Sequence, residues 1–178
     1  MTDDGVSVIL PVYNDRTALE EAIPASIAAL AAITETFEVI VAEDGSTDGS
    51  AEYVQEWHEK DPRVVLLHAD ERLGRGRALN RAIAAARYGI VCYYDVDLAT
   101  DLAHLPELVG AIRGGADIAT GSRLMPDSNI VRSGGREIAS RGYNFLVRTI
   151  LGSRLYDHQC GFKGFRKERI LALIPEIQ

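Results

Sequence analysis

An apolar run leads directly into two aspartates in the stretch Ile90-Val91-Cys92-Tyr93-Tyr94-Asp95-Val96-Asp97. The run has the length of a buried strand, and the carboxylates follow at its C-terminal end. Because side chains alternate along a strand, the spacing predicts that Asp95 and Asp97 point to one side. Two such close carboxylates repel each other unless a positive group lies between them. We therefore predict that both bind Mg²⁺ or Mn²⁺, hard cations that could also bridge to a diphosphate. The alternative is a capping cluster for a following helix.

Strand-like and helix-like segments alternate through the first 120 residues. The predicted strands are residues 6–12, 37–42, 64–67, 90–94 and 117–120. The predicted helices are residues 17–32, opened by a capping box from Thr17 to Glu20, then 50–60, 77–87 and 105–113. This rhythm predicts a three-layer α/β/α fold with a mainly parallel sheet and helices on both faces. Ligands of such sheets bind beyond the carboxyl ends of the strands, where the polar loops of this chain converge.

The pattern changes after residue 120. Residues 121–135 are polar and rich in turn-forming residues, which indicates a mobile active-site loop or a solvent-exposed connection. Helical periodicity returns over residues 137–151, and a short helix is predicted at 167–173. The 178 residues suffice for a single domain, with a ligand-binding half at 1–120 and a second part at 121–178.

Composition narrows the class of protein. A net charge of −7 argues against nonspecific nucleic-acid binding. The sequence shows no signal peptide and no apolar stretch of membrane-spanning length. Two distant cysteines, Cys92 and Cys160, indicate no disulfide framework and favour the reducing cytoplasm; Cys92 is expected in the core.

The loop after the first strand, Pro11-Val12-Tyr13-Asn14-Asp15, contains no glycine. A dinucleotide-binding fold needs a glycine-rich turn there so that the backbone can approach a pyrophosphate. The oxidoreductase interpretation therefore loses its first requirement. Tyr13 could stack on a nucleobase or simply pack within the loop.

Acids and glycines follow the next two strands. In the run Glu43-Asp44-Gly45-Ser46-Thr47-Asp48, the acids could accept hydrogen bonds from a nucleobase or a ribose. The alternative is a turn followed by a helix cap. Further on, Arg72-Leu73-Gly74-Arg75-Gly76-Arg77 leads into a helix, and two glycines with arginines at a helix N-terminus suit a diphosphate.

Taken in order, these motifs resemble those of the family-2 glycosyltransferases, which have the GT-A nucleotide-sugar-binding fold. The resemblance rests on Pro11–Asn14, Glu43–Asp48, Leu73–Gly76 and Asp95–Asp97. Two later runs, Gly121-Ser122-Arg123 and Asp157-His158-Gln159-Cys160-Gly161-Phe162-Lys163, resemble the branch of dolichyl-phosphate mannose and glucose synthases. Glu43 stands where many members carry a second aspartate.

The resemblance implies a site. The residues that would bind the nucleotide sugar are Pro11, Tyr13, Asn14, Glu43, Asp44, Asp48, Gly74, Arg75, Asp95 and Val96. Asp95 and Asp97 would hold Mg²⁺ or Mn²⁺, and Asp97, Asp157 and Arg123 would act in catalysis. Arg123, Arg132, Arg136 and Lys163 would bind the acceptor phosphate, since arginine and lysine bind phosphate strongly.

The implied reaction is an inverting, metal-dependent transfer of a hexose from UDP-glucose or GDP-mannose to a polyprenyl or dolichyl phosphate. A phosphate dianion needs no base, whereas a hydroxyl acceptor would make Asp157 the leading base. The alternative is therefore a transferase for a glycan or another hydroxyl acceptor in polysaccharide or cell-surface biosynthesis. A sugar nucleotidyltransferase would need a glycine-rich loop after the first strand.

Relatives in this branch commonly continue into amphipathic or transmembrane helices. The chain is thus expected to be a catalytic domain truncated at its C-terminus, working at the cytoplasmic face of a membrane in the full-length protein. The sequence leaves the donor base, the oligomeric state and the membrane element open.

Overall fold

The computed structural model describes residues 5–122, 147, 149–150, 152 and 157–176. Its strands are β1 (Val6–Val12), β2 (Phe37–Glu43), β3 (Val64–Leu67), β4 (Ile90–Tyr93), β5 (Ile118–Thr120) and β6 (Lys163–Arg166). Its helices are α1 (Arg16–Ala31), α2 (Ser50–Lys60), α3 (Arg75–Ala85), α4 (Leu105–Arg113) and α5 (Lys167–Leu173), with short 3₁₀ turns at Leu102–His104 and Ile174–Glu176.

The six strands form one sheet in the order β3-β2-β1-β4-β6-β5. The pairs β1/β2, β2/β3 and β1/β4 are parallel, and β4/β6 is antiparallel. Chain order runs outward from β1 to β3 and then returns to the other side of β1 with β4. The carboxyl ends of β1 and β4 therefore flank the point where the strand order reverses, which is where sheets of this kind bind ligands.

Both faces of the sheet are covered. Alternate residues of the central strands point to opposite faces, yet Val8 and Ile9 are both fully buried, as are Val39 and Ile40. On one face, Ile9 and Ile40 pack with Ala82 of α3. The predicted α/β fold with a mainly parallel sheet is confirmed.

Several element boundaries differ from the predicted ones for local reasons. α1 begins at Arg16, and Asp15 is its cap, because the Asp15 carboxylate accepts a hydrogen bond from the Ala18 N–H. The predicted capping box from Thr17 to Glu20 is therefore wrong: aspartate caps as well as threonine and stands earlier in the chain. α3 begins two residues before its predicted start, directly after Gly74, whose φ of 90° is readily adopted only by glycine.

Strand β6 is not among the predicted strands. It is only four residues long and contains Gly164 between charged and aromatic neighbours, so it shows no alternating apolar pattern. Gly164 pairs with Cys92 of β4, and a Cβ added to Gly164 would lie 3.4 Å from the Cys92 Sγ and 3.2 Å from Leu108. Cys92 is fully buried, as predicted for a core residue.

The chain divides into two compact units. One comprises residues 1–119 and 162–178, and the other comprises residues 120–161. Within the predicted helix at 137–151, the described residues 147, 149 and 150 are helical. In the described part of the chain, no helix is both long enough and apolar enough to cross a membrane.

Candidate nucleotide-binding site

A cavity of about 140 Å³ lies at the carboxyl ends of β1 and β2 and the N-terminus of α3. It is lined by Pro11, Val12, Tyr13, Ala42, Asp44, Arg72, Arg75 and Ala78. Four of the residues predicted to bind a nucleotide sugar thus meet at one opening: Pro11, Tyr13, Asp44 and Arg75. The remaining predicted residues of this unit are arranged around the same edge of the sheet.

The loops after β1 and β2 are joined by hydrogen bonds that involve Asn14 and Asp48. The Asn14 N–H donates to the Ser46 Oγ (2.9 Å), and the Thr47 N–H donates to the Asn14 Oδ1 (2.8 Å). Asn14 adopts a left-handed conformation with φ = 51°, which asparagine tolerates better than most residues. The Arg16 N–H donates to the Asp48 Oδ2 (2.9 Å), so both predicted residues hold the rim together in this structure.

Asp48 also accepts hydrogen bonds from Ser50, the first residue of α2, while Gly49 is the capping residue of this helix. Burial alone would raise its pKa, but hydrogen bonds from the Ser50 hydroxyl and from the Arg16 and Ser50 N–H groups favour the ionised form. The balance holds the pKa of Asp48 below the usual 3.8. The negative charge at this position is therefore stabilised by the fold itself.

Glu43 lies beneath the rim and is completely buried. One carboxylate oxygen accepts a hydrogen bond from the Ser46 N–H, and the other pairs with the Nδ1 of His68, just after β3. These protein donors satisfy a charge that would otherwise be costly to bury. Glu43 does not line the cavity, so its predicted contact with the nucleotide gains no support from its position and stays a prediction.

Asp44 links the loop after β2 to the loop after β3. Its side chain accepts hydrogen bonds from the N–H groups of Leu73 (2.8 Å) and Gly74 (2.9 Å), and the residue is only 4% exposed. Gly45 has φ = 76°, and a Cβ there would lie 2.7 Å from backbone atoms of Glu71 and Arg72. The two loops are thus in close backbone contact. A carboxylate has about four acceptor positions, so Asp44 keeps capacity toward the cavity that it lines.

Tyr13 and Arg72 form the outer wall of the cavity. The Arg72 guanidinium lies over the Tyr13 ring, with its carbon 4.0 Å from the ring centroid. Tyr13 is 40% exposed, which is unusual for a large aromatic side chain and leaves a flat surface facing solvent. Such a surface suits the stacking of a planar ligand.

The Asp95-Val96-Asp97 segment follows the end of β4 at Tyr93 and forms a turn. The prediction that Asp95 and Asp97 point to one side rests on the alternation of side chains along a strand. That basis does not apply here, because the strand ends before these residues. Asp95 forms an ion pair with Arg75, and both side chains are partly exposed. The Asp97 Oδ1 accepts a hydrogen bond from the Ala99 N–H (3.1 Å), while Val96 is buried.

The preceding residue fixes this turn to the core. Tyr94 is buried, packs at 5.8 Å from the Phe162 ring, and donates its hydroxyl to the Ser26 Oγ of α1 (2.8 Å). Burial raises the pKa of the Tyr94 hydroxyl, so it remains a donor at any physiological pH. The position of Asp95 is thereby tied to α1.

The two aspartates fit a hard divalent cation. Among residues 5–122 and the described residues beyond them, no group of three or more His, Cys, Asp or Glu side chains is arranged to hold a metal. A pair of carboxylates is nevertheless typical for Mg²⁺, which takes its other ligands from water and substrate phosphates. Within the described residues Asp97 shows only the hydrogen bond to its Oδ1, so its second oxygen suits such a ligand.

Lys163 lies at the start of β6, beside the end of β4. Its Nζ donates to the Tyr93 hydroxyl (3.3 Å) and lies 5.7 Å from the Tyr93 ring centroid. Arg75 approaches the same ring at 5.9 Å, and Phe165 stacks on it at 6.0 Å. The sequence predicts that Lys163 binds the acceptor phosphate; the structure brings it and Arg75 to one aromatic ring next to Asp95.

Some predicted residues are not tested by this structure. Arg123, Arg132 and Arg136 lie outside the described residues. Asp157 belongs to the unit of residues 120–161, is fully buried, and accepts a hydrogen bond from the Gln159 N–H (3.1 Å). The predicted roles of all four in acceptor binding or catalysis therefore stay predictions.

Sequence reasoning misses two residues at this edge, His68 and Tyr93, and it does not predict the contact that Arg72 makes. A lone histidine after a strand carries no signal of its partner, because Glu43 is 25 positions away. Arg72 belongs to the loop predicted to suit a diphosphate, but in the structure its guanidinium lies over the Tyr13 ring. Tyr93 looks like an ordinary residue of an apolar strand, and its neighbours Lys163 and Phe165 are brought to it only by β6.

Comparison with solved structures identifies the class of protein. The fold matches a mannosyltransferase, PcManGT from Pyrobaculum calidifontis, solved in complex with GDP-Man and Mn²⁺. The TM-score is 0.65 at 25% sequence identity, over 94% of this chain and 46% of that one. The fold is therefore of the GT-A type that glycosyltransferases use, as predicted.

Sequence comparison then identifies the family. Residues 7–171 match the family described as Glycosyl transferase family 2, and the chain belongs to this family. It is 47% identical over 176 residues to glycosyltransferase AglD of Haloferax volcanii, covering 97% of this chain and 28% of AglD. It is 31% identical to a dolichyl-phosphate beta-glucosyltransferase of Dictyostelium discoideum, covering 97% of this chain and 57% of the relative. The chain thus spans only part of the length of these relatives.

Proposed function

We propose that this chain is the catalytic domain of an inverting, metal-dependent glycosyltransferase that moves a hexose from a nucleoside-diphosphate sugar to a polyprenyl phosphate. The observation that carries the proposal is the linked set Asp44, Arg75 and Asp95 at one edge of the sheet. Asp44 and Arg75 line one cavity, and Arg75 reaches Asp95. Membership of the family and the name of the Dictyostelium relative support the activity and the lipid-phosphate acceptor.

The cavity would receive the nucleoside. Tyr13 would stack on the base, and Asp44 would accept a hydrogen bond from a base N–H or a ribose hydroxyl. Asn14, Asp48 and Gly74 would act by holding the three loops in place, through the hydrogen bonds that they already make. A nucleoside seated here would direct its diphosphate toward Arg75 and the N-terminus of α3, where backbone N–H groups favour an anion.

Asp95 and Asp97 would hold Mg²⁺ or Mn²⁺ together with oxygens of the diphosphate. The solved neighbour from Pyrobaculum calidifontis is in complex with GDP-Man and Mn²⁺, which supports this cofactor. When bound, the cation supplies positive charge opposite the departing diphosphate. The donor is proposed to be UDP-glucose or GDP-mannose.

The acceptor phosphate needs cations rather than a base. A phosphate oxygen would form the new bond to the anomeric carbon, while the bond to the nucleoside diphosphate breaks and its electron pair leaves with the diphosphate. The acceptor is largely dianionic at neutral pH, because its second pKa is about 6. No proton has to be removed. Lys163 would attract this phosphate, together with the predicted Arg123, Arg132 and Arg136, and Asp157 would orient a sugar hydroxyl or an arginine. A lipid acceptor would bring the reaction to the cytoplasmic face of a membrane.

Donor binding can be measured first. We expect UDP-glucose or GDP-mannose to raise the melting temperature only when Mn²⁺ is present, since a ligand of the folded state stabilises it by mass action. A transfer assay would then compare a polyprenyl phosphate with free sugars as acceptors. Transfer only to free sugars would overturn the proposed polyprenyl-phosphate acceptor and favour a transferase that acts on hydroxyl groups. No response to any nucleotide sugar with Mn²⁺ would overturn the proposed function.

Asp97→Asn tests the role of the second aspartate with little structural disturbance. Asparagine keeps the side-chain oxygen that accepts from Ala99, but it loses the negative charge. We expect transfer to fall by about 100-fold or more, as when one preorganised electrostatic contact is lost. The melting temperature should stay close to that of the parent protein.

Asp101→Asn is the matched control. Asp101 accepts the same kind of hydrogen bond, from the Ala103 N–H (2.9 Å), but lies at the start of the 3₁₀ turn and outside the site. Equal losses of transfer in D97N and D101N would contradict a specific role for Asp97.

A further inference from the structure

Arg75 contacts two parts of the site at once. It lines the nucleotide cavity, and its guanidinium forms an ion pair with Asp95, one of the two aspartates that fit a divalent cation. It also lies 5.9 Å from the Tyr93 ring. A single side chain therefore connects the nucleotide cavity to the predicted metal ligands.

The place of Arg75 in its helix is electrostatically unfavourable. Arg75 is the first residue of α3, whose first turn contains no acidic residue and whose capping residue, Gly74, offers no side chain. The N-terminus of a helix carries partial positive charge, so a cation there is destabilising unless an anion lies nearby. In this structure the Asp44 carboxylate accepts from the Gly74 N–H at this end of the helix. The anion that pairs with the Arg75 side chain is Asp95, at the end of β4.

The Arg75 guanidinium occupies the Asp95 Oδ1, so a divalent cation is excluded from that oxygen and is repelled by the guanidinium at the other. We propose that Arg75 takes the place of the divalent cation on Asp95 in the nucleotide-free protein and leaves it for the diphosphate of the donor. The diphosphate replaces Asp95 as the anionic partner of Arg75 at the helix N-terminus, and Asp95 becomes accessible to the cation. This inference rests on the proposed function, because it assigns the diphosphate to the cavity beside Arg75.

The consequence is coupled binding. The cation alone must displace Arg75 from Asp95. Its apparent affinity is therefore the intrinsic affinity multiplied by the fraction of protein in which the ion pair is open. With nucleotide bound, that competition is gone. Thermodynamic linkage requires the nucleotide to gain the same factor from the cation. Arg75 thereby disfavours a site loaded with metal but no donor.

The experiment measures Mn²⁺ binding alone, by the loss of the electron paramagnetic resonance signal of free Mn²⁺, for the 178-residue chain and two variants. Arg75→Gln removes the ion pair and keeps most of the side-chain length. Arg77→Gln removes an equal charge from the same helical turn, and in the described residues Arg77 has no contact with Asp95. Arg75→Ala is a further variant in case the glutamine forms a new hydrogen bond; circular dichroism checks the fold of each.

We expect Arg75→Gln to bind Mn²⁺ alone about two- to five-fold more tightly than the parent, the factor that corresponds to an exposed ion pair. Arg77→Gln should change the affinity by about 1.5-fold or less, because a more distant surface charge is screened. In a second arm with UDP or GDP present, the gain in Mn²⁺ affinity caused by the nucleotide should be at least about two-fold smaller in Arg75→Gln than in the parent.

Two results would overturn the inference. One is Mn²⁺ binding in Arg75→Gln that is undetectable, or no tighter than in the parent or in Arg77→Gln. The other is an unchanged gain from the nucleotide. If the parent binds neither UDP nor GDP, the proposed function fails, whereas the comparison with Mn²⁺ alone still decides whether Arg75 competes for Asp95.

Discussion

Replacing Asp44 by alanine tests whether this carboxylate fixes the loop after β3 independently of any ligand. In the structure Asp44 accepts two backbone hydrogen bonds, from Leu73 and Gly74, and is almost completely buried. A hydrogen bond to a charged group contributes about 1.5–3 kcal/mol, and water can reach the two N–H groups in part once the side chain is gone. We therefore expect Asp44→Ala to lower the free energy of unfolding by about 3 kcal/mol.

The magnitude can be measured by urea unfolding without nucleotide or metal. For a chain of this size, a loss of about 3 kcal/mol corresponds to a fall in melting temperature of about 6–12 °C. The slope of the free energy of unfolding against urea concentration should not change, since the same surface is exposed on unfolding. Asp44→Asn should lose about half as much, because its oxygen replaces one acceptor while its amide faces the second N–H.

Asp70→Asn is the control for a charge removed from the loop after β3, which Asp44 holds. The Asp70 side chain is fully exposed and lies 3.6 Å from the His68 Nε2, so we expect the urea midpoint to stay at the value of the parent protein. An unchanged urea midpoint for Asp44→Ala would refute the claim that Asp44 fixes the loop after β3. Asp44 would then act only through a bound ligand.

Three further predictions concern the same region and the core. Gly45→Ala should destabilise the fold by about 2–4 kcal/mol, because Gly45 has φ = 76° and a Cβ would lie 2.7 Å from backbone atoms. Gly76→Ala is the control: a Cβ there meets nothing within 4 Å, so this variant should be neutral or slightly stabilising in the same urea titration. The folded-state pKa of Asp48 lies below 3.8, so its contribution to stability is present above that pH and is lost as the pH falls through the folded-state value. Asp48→Asn should flatten this acid dependence of the urea midpoint. An unchanged pH profile would count against the stabilising role of Asp48. Burial raises the pKa of the Cys92 thiol to about 12, so iodoacetamide at pH 8 should modify Cys92 only after unfolding, as peptide mapping by mass spectrometry would reveal; rapid labelling of the native protein would be inconsistent with its burial against Gly164.

Most of the secondary structure follows from local pattern. β1 and β3 begin and end where the apolar runs predict, and so do α2, α4 and α5. Errors of one or two residues occur where a single residue sets the boundary, such as Asp15 before α1 and Gly74 before α3. β6 is the larger omission, because four residues that contain a glycine and three cationic or aromatic side chains show no strand periodicity.

The candidate site was predictable as a set of loops but less so as a set of contacts. Parallel strands end at one edge, so motifs after β1, β2, β3 and β4 had to meet there. The partners of each side chain were not predictable, because they lie 25 to 32 residues away in the pairs Glu43–His68, Asp44–Leu73, Asp44–Gly74 and Arg16–Asp48. Glu43 is the clearest example: a residue predicted to contact the nucleotide is buried under the rim.

Local order along the chain determined the element types, the parallel sheet and the edge where acids and arginines collect, because apolar periodicity and strand direction are properties of short segments. Only the folded chain decided which carboxylate holds a loop, which one faces the cavity and which one Arg75 neutralises. Those choices depend on distances between side chains that arrive from different strands, and a charge near the sheet takes whichever donor or cation the packing brings within reach.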